Sequence, residues 1–199
     1  MGLTLLLGGQ KSGKSSAAAR IAAAAALPVV VIAPAVATDG EFEARIARHR
    51  ADRPSDWRLV ETFAVAATLA DPAHTGVTVI VDALDTWLFD AMGRHGLLPA
   101  DDHLDGPDPG SWRAVLAEVA AIADAAASRA GRTLLIAGVP GWGPIGATPL
   151  VRWYVDLHGL ACRQLADRAD RCLLIVAGRA LDLGALDNVI GHPLDGDPT

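Results

Sequence analysis

The chain has 199 residues, 51% of them hydrophobic, which is enough apolar material to bury one substantial core. Its formal charge of −6 argues against a protein that coats nucleic acid with a basic face, and the most apolar stretch, residues 21–37, is broken by Pro28 and Pro34 before it reaches membrane-span length. The two cysteines, Cys162 and Cys172, lack Cys or His partners at metal-ligand spacing and read as reduced thiols; with no basic leader at the start, a cytoplasmic location is expected.

Residues 3–7 (LTLLL) are a short continuous apolar run, as in a buried parallel strand. Residues 14–26 are rich in alanine and predict a helix. Residues 28–34, β-branched and bounded by prolines, predict a second buried strand. A charged helix is expected over 39–54, ended by Pro54. A short strand follows at 57–62 and a helix at 63–71. Residues 77–84 (VTVIVDAL) predict a third buried strand that carries Asp82 near its carboxyl end. A helix follows over 85–96, then a Pro-, Gly- and Asp-rich loop over 97–111.

Residues 112–130 predict a long helix with Ser111 as its cap. A strand is expected at 133–139, a glycine-rich loop at 140–149, a helix at 150–169 and a last strand at 172–181. Alternation of this kind predicts an α/β fold, a mostly parallel sheet with helices on both faces. One nucleotide-binding domain is expected over 1–186. The tail from 187 to 199 has too little apolar content to pack strongly.

The first turn between strand and helix carries the chemistry. Gly8, Gly13, Lys14 and Ser15 satisfy G-x-x-x-x-G-K-[ST], with Gly9, Gln10, Lys11 and Ser12 completing the loop. Glycines let backbone N–H groups converge on phosphate oxygens, and the following helix adds the positive end of its dipole. Lys14 is placed for the β- and γ-phosphates, and the Ser15 hydroxyl for Mg²⁺. A phosphate loop also needs a carboxylate on the neighbouring strand to hold the ion through water, and Asp82 fits that role. The expected ligand is a purine nucleoside triphosphate, GTP or ATP. Kinase, GTPase, ATPase and nucleotidyltransferase chemistry all remain open at this point. The chain is short for most motors, and it has no NKxD-type guanine motif.

Residues 45–54 read R-I-x-x-H-x-x-x-R-P, followed by Trp57 and Glu61. By charge alone this is a solvated helix face. Together with GGQKSGKS (8–15), VDALDTWL (81–88), LVRWYVDLHG (150–159) and LADRADRCLLIVAG (165–178), it resembles the adenosylcobinamide kinase/adenosylcobinamide-phosphate guanylyltransferase family of cobalamin assembly.

The resemblance implies a RecA-like P-loop fold, a homotrimer and two reactions on a corrinoid partner. The first phosphorylates the aminopropanol hydroxyl of adenosylcobinamide. The second transfers GMP from GTP to that phosphate through a GMP–histidine intermediate, with His49 as the nucleophile. A neutral imidazole suits that attack near neutral pH. The resemblance also implies nucleotide contacts at Ala33, Pro34 and Ala35, at Arg50, Ala51, Asp52 and Arg53, and at Glu61 and Ala83. The other histidines, His74, His95, His103, His158 and His192, show no partner pattern.

The pattern departs from the family in places. The family's Asn-Glu pair after the fourth strand falls on Gly138 and Val139, and its Asn-Gln pair on Cys162 and Arg163. Asp85 and Asp90 stand where Thr and Asn are common. Two other readings therefore stay open: a P-loop kinase of a different small molecule, with His49 structural, and a nucleotide-binding relative without catalysis, for which the changed 138–147 loop speaks.

Overall fold

The computed structural model describes residues 2–34, 54–98 and 106–186. The helix expected over 39–54 and the tail 187–199 lie outside these residues. In chain order the elements are β1 (Gly2–Gly8), α1 (Lys14–Ala24), β2 (Val29–Ala33), β3 (Arg58–Glu61), α2 (Val65–Ala70), β4 (Thr78–Asp82), α3 (Leu84–Arg94), α4 (Pro109–Ser128), β5 (Arg132–Ala137), α5 (Pro149–Arg168), β6 (Arg171–Val176) and β7 (Arg179–Asp182).

The strands form one sheet in the order β3-β2-β4-β5-β1-β6-β7. Every neighbouring pair is parallel except β6 with β7. The central strands are apolar throughout because both their faces are covered. Side chains alternate between the two faces with the period of two that a strand imposes. Leu3, Leu5, Val30, Ile32, Val79, Val81, Leu135 and Ala137 pack on one face with α2, α3, α4 and α5. Leu6, Val29, Val31, Ile80, Leu134 and Ile136 pack on the other against Ala18 and Ala22 of α1. The small side chains of α1 let that helix sit close to the sheet, which fixes the loop entering it.

The strand expected over 172–181 is in fact a hairpin. Ala177 (φ 49°) and Gly178 (φ 73°) form its two-residue turn, both in the left-handed region that twists strands back on each other. The apolar run on either side hid the turn. The cap of α4 also differs from expectation. Asp108 Oδ2 accepts from the Ser111 N–H at 2.7 Å, and Pro109 opens the helix, so Ser111 is capped rather than capping.

Candidate active site

Residues 8–15 link β1 to α1 as a tight turn. Gly8 ends the strand beneath the loop. A Cβ there would collide with the Ile175 carbonyl and stand 2.7 Å from Ser12 Oγ, so packing alone demands glycine. Gly13 precedes α1 with φ 101°, a conformation that glycine adopts without strain. The Ala17 N–H then bonds to Gly13 O at 2.8 Å and starts the helix. Lys14 Nζ donates to the carbonyls of Gly8 (2.7 Å) and Gly9 (2.8 Å), which holds the ammonium over the turn. The hairpin β6–β7 braces the loop from the side, with the Gly178 N–H donating to Ser12 O at 2.9 Å.

Asp82 closes β4 at the same edge of the sheet. Ser15 Oγ donates to Asp82 Oδ1 at 3.4 Å. The expected arrangement is corrected in one respect: Asp82 is not on the strand beside β1. β5 lies between β1 and β4 and pairs with both. Ser15, in the first turn of α1, reaches Asp82 across that intervening strand.

The second set of candidate contacts gathers two strands further on. Ala33 and Glu61 are paired in register at the carboxyl ends of β2 and β3, the Thr62 N–H donates to Ala33 O at 3.3 Å, and Pro34 follows directly. Ala83 follows Asp82 on the strand next to β2. From β1 to β3 is four strand steps, about 19 Å at the usual strand spacing. The phosphate loop and Glu61 therefore stand well apart along the carboxyl edge of the sheet, the edge at which ligands of open α/β sheets bind. Ala35, His49, Arg50, Ala51, Asp52 and Arg53 lie outside the described residues.

A further cluster at this edge was not expected. Asp85, in the first turn of α3, accepts at Oδ1 from the Gly138 N–H (2.7 Å) and from His158 Nε2 (2.7 Å). His158 Nδ1 faces Cys162 Sγ at 3.5 Å, and the Tyr154 hydroxyl donates to the Asp85 carbonyl at 3.3 Å. Burial works to raise the Asp85 carboxyl, but the His158 hydrogen bond, the Gly138 N–H and the charges of His158 and Lys14 outweigh it and hold it below the usual range. Burial pushes the Cys162 thiol up to about 12, with the Asp85 charge adding to the effect. It also raises the Tyr154 hydroxyl.

Other histidines are partnered too. His95 bonds Glu118 at 2.7 Å, and buried His74 bonds Thr68 O at 2.8 Å. For His158 a signal was present in the sequence: Tyr154, His158 and Cys162 recur at four-residue spacing, which stacks them on one face of α5.

A mostly parallel sheet, a lysine-bearing glycine loop between its first strand and first helix, and a strand-end carboxylate facing that helix define a RecA-like P-loop fold. The ATPase EscN from the type III secretion system of enteropathogenic E. coli shares the architecture, with a TM-score of 0.54 at 13% identity over 88% of this chain and 43% of that one. Within this class, the chain belongs to the cobinamide kinase/cobinamide phosphate guanyltransferase family, whose model matches residues 4–183. It is 40% identical to the bifunctional adenosylcobalamin biosynthesis protein CobP of Pseudomonas aeruginosa, covering 90% of this chain and 95% of that one. It is 27% identical to the bifunctional adenosylcobalamin biosynthesis protein CobU of Escherichia coli K12, covering 88% and 96%.

Proposed function

We propose that this protein phosphorylates adenosylcobinamide and then transfers GMP from GTP to the resulting phosphate. The observation that carries the reading is the meeting of Ser15 Oγ and Asp82 Oδ1 beside the Lys14 loop, in a chain of this family. Gly8 to Ser15 bind the triphosphate, and Lys14 neutralises the phosphates between which the bond breaks. The oxygen pair of Ser15 and Asp82 suits Mg²⁺, a hard cation that takes few protein ligands and completes its shell with phosphate and water. Bound there, Mg²⁺ offsets negative charge on the phosphate oxygens.

For the second reaction, His49 attacks the α-phosphorus of GTP and expels pyrophosphate. The acceptor phosphate then displaces His49 and takes the GMP. Ala33, Pro34, Ala35, Arg50, Ala51, Asp52, Arg53, Glu61 and Ala83 contact the nucleotide. The loop after β5 meets the corrinoid. Its Trp142 and Ile145 are 69% and 88% exposed, apolar surface suited to a large macrocycle. We read residues 1–186 as one catalytic unit working as a homotrimer in the cytoplasm.

The test follows two labels. With γ-labelled nucleotide and adenosylcobinamide, label is expected in a phosphorylated corrinoid. With α-labelled GTP and that product, label is expected in a GMP-bearing corrinoid with release of pyrophosphate. A protein that labels neither product contradicts the proposal.

A further inference from the structure

We propose that Asp85 is the base of the phosphoryl-transfer step, with Oδ2 accepting the proton of the corrinoid hydroxyl. This deepens the kinase reading above and rests on it.

Position comes first. Asp85 follows three residues after Asp82, and its carboxylate lies against Gly138, directly beyond the end of β5. β5 is the strand between the P-loop strand and the Asp82 strand. Asp85 thus stands at the carboxyl edge between the phosphate loop and Asp82. A Cβ on residue 138 would come within 3.0 Å of Oδ2, so glycine there leaves the carboxylate its room.

Next is the division of labour between the two oxygens. Oδ1 takes both hydrogen bonds, from Gly138 and His158. Oδ2 has no hydrogen bond among the described residues. The Asp85 side chain is 39% exposed, while that of His158 is 2% exposed. The carboxylate is therefore anchored from its buried side and open on the other.

The protons are fixed by the same chain of contacts. The Cys162 thiol, buried and held protonated, faces His158 Nδ1 at 3.5 Å. His158 Nε2 meets Asp85 Oδ1, and a carboxylate oxygen only accepts, so the Nε2–H donates and the ring orientation is set. This arrangement rules out Cys162 as a nucleophile, since only a thiolate attacks. Lys14, His158, Tyr154 and Cys162 surround Asp85; burial opposes its charge, but the hydrogen bonds from His158 and the Gly138 N–H and the charges of His158 and Lys14 outweigh it and keep the carboxylate ionised. An ionised carboxylate that orients the acceptor hydroxyl is what phosphoryl transfer requires of its base.

In the step itself, the acceptor O–H bond breaks as its oxygen bonds to the γ-phosphorus. The bond from that phosphorus to the nucleoside diphosphate breaks, and the diphosphate leaves with the electron pair. The proton moves to Asp85 Oδ2 and passes to water once product departs. His158 is a positioning residue in this account.

The experiment measures adenosylcobinamide phosphorylation under saturating nucleotide and Mg²⁺. Asp85→Asn keeps the side chain's size and its acceptor for Gly138. It should lower kcat about 10²- to 10⁴-fold, the usual worth of a general base, with KM for the corrinoid within about threefold. Asp85→Glu should recover part of the loss. His158→Leu removes a bond that favours the ionised carboxylate, so the acid limb of the kcat–pH profile should move to higher pH, which a merely structural histidine would not produce.

Wild-type protein that phosphorylates no corrinoid overturns the kinase reading and this assignment together. Wild-type turnover with an Asp85→Asn rate within threefold of it overturns the assignment alone. So does an Asp85→Asn loss that is restored by raising Mg²⁺, which would make Asp85 a metal-binding group.

Discussion

Lys14 and Asp82 sit on different elements and answer to different measurements. Lys14 Nζ rests on two loop carbonyls, Gly8 O and Gly9 O, and exchanges them for phosphate oxygens at little structural cost. Lys14→Ala should therefore weaken nucleotide binding about 10- to 100-fold, the worth of a charged hydrogen bond, with the thermal midpoint nearly unchanged. Calorimetric titration checks this, and full affinity in a folded variant would remove the loop from the site. Asp82→Asn keeps the shape beside Ser15 Oγ but removes the negative charge that would attract a cation. The half-saturating Mg²⁺ concentration for turnover should rise, while nucleotide affinity without metal changes little. Equal Mg²⁺ dependence in parent and variant would refute that role. Both residues were legible from the motif. The Asp85–His158–Cys162 chain was not, because its members come from two helices that only the fold brings together.

At the scale of elements, the apolar runs announced β1, β2, β4 and β5, since strands buried on both faces leave no room for polar residues. The errors fell where a local feature opposed the run. Gly178 splits what reads as one apolar strand into β6 and β7, and its N–H then braces Ser12 in the phosphate loop. Asp108 and Pro109 lie inside a stretch whose composition reads as loop, yet they are the cap and first residue of α4. Asp108→Ala should lower stability, because the helix loses its N-cap acceptor. Ser111→Ala should cost less, because it keeps the backbone N–H that Asp108 caps. Denaturant melts of the two variants compare them directly, and an equal loss would contradict the assignment of the cap. Between the elements, β5 separates β1 from β4, an insertion that a one-dimensional reading had no means to see.

Across the whole molecule, the carboxyl edge of the sheet carries the Lys14 loop at β1 and, four strand steps away, Ala33 and Glu61 at β2 and β3. That separation suits a protein that handles a triphosphate in two reactions, one breaking the β–γ linkage and one breaking the α–β linkage. The motif around residues 8–15 located the phosphate loop. The resemblance assigned Ala33 and Glu61 to the nucleotide, and the chain belongs to that family over residues 4–183. The central claim is that His49 carries GMP between GTP and the corrinoid, and it is tested most directly on the protein alone. Incubated with Mg²⁺ and α-labelled GTP, the protein should gain the mass of one GMP and keep the label through alkali, then lose it in acid, as a phosphoramidate does. γ-Labelled GTP should leave no such label, and His49→Asn should abolish the adduct while corrinoid phosphorylation continues. A wild-type protein that forms no acid-labile GMP adduct, or a His49→Asn variant that forms one normally, would contradict the account.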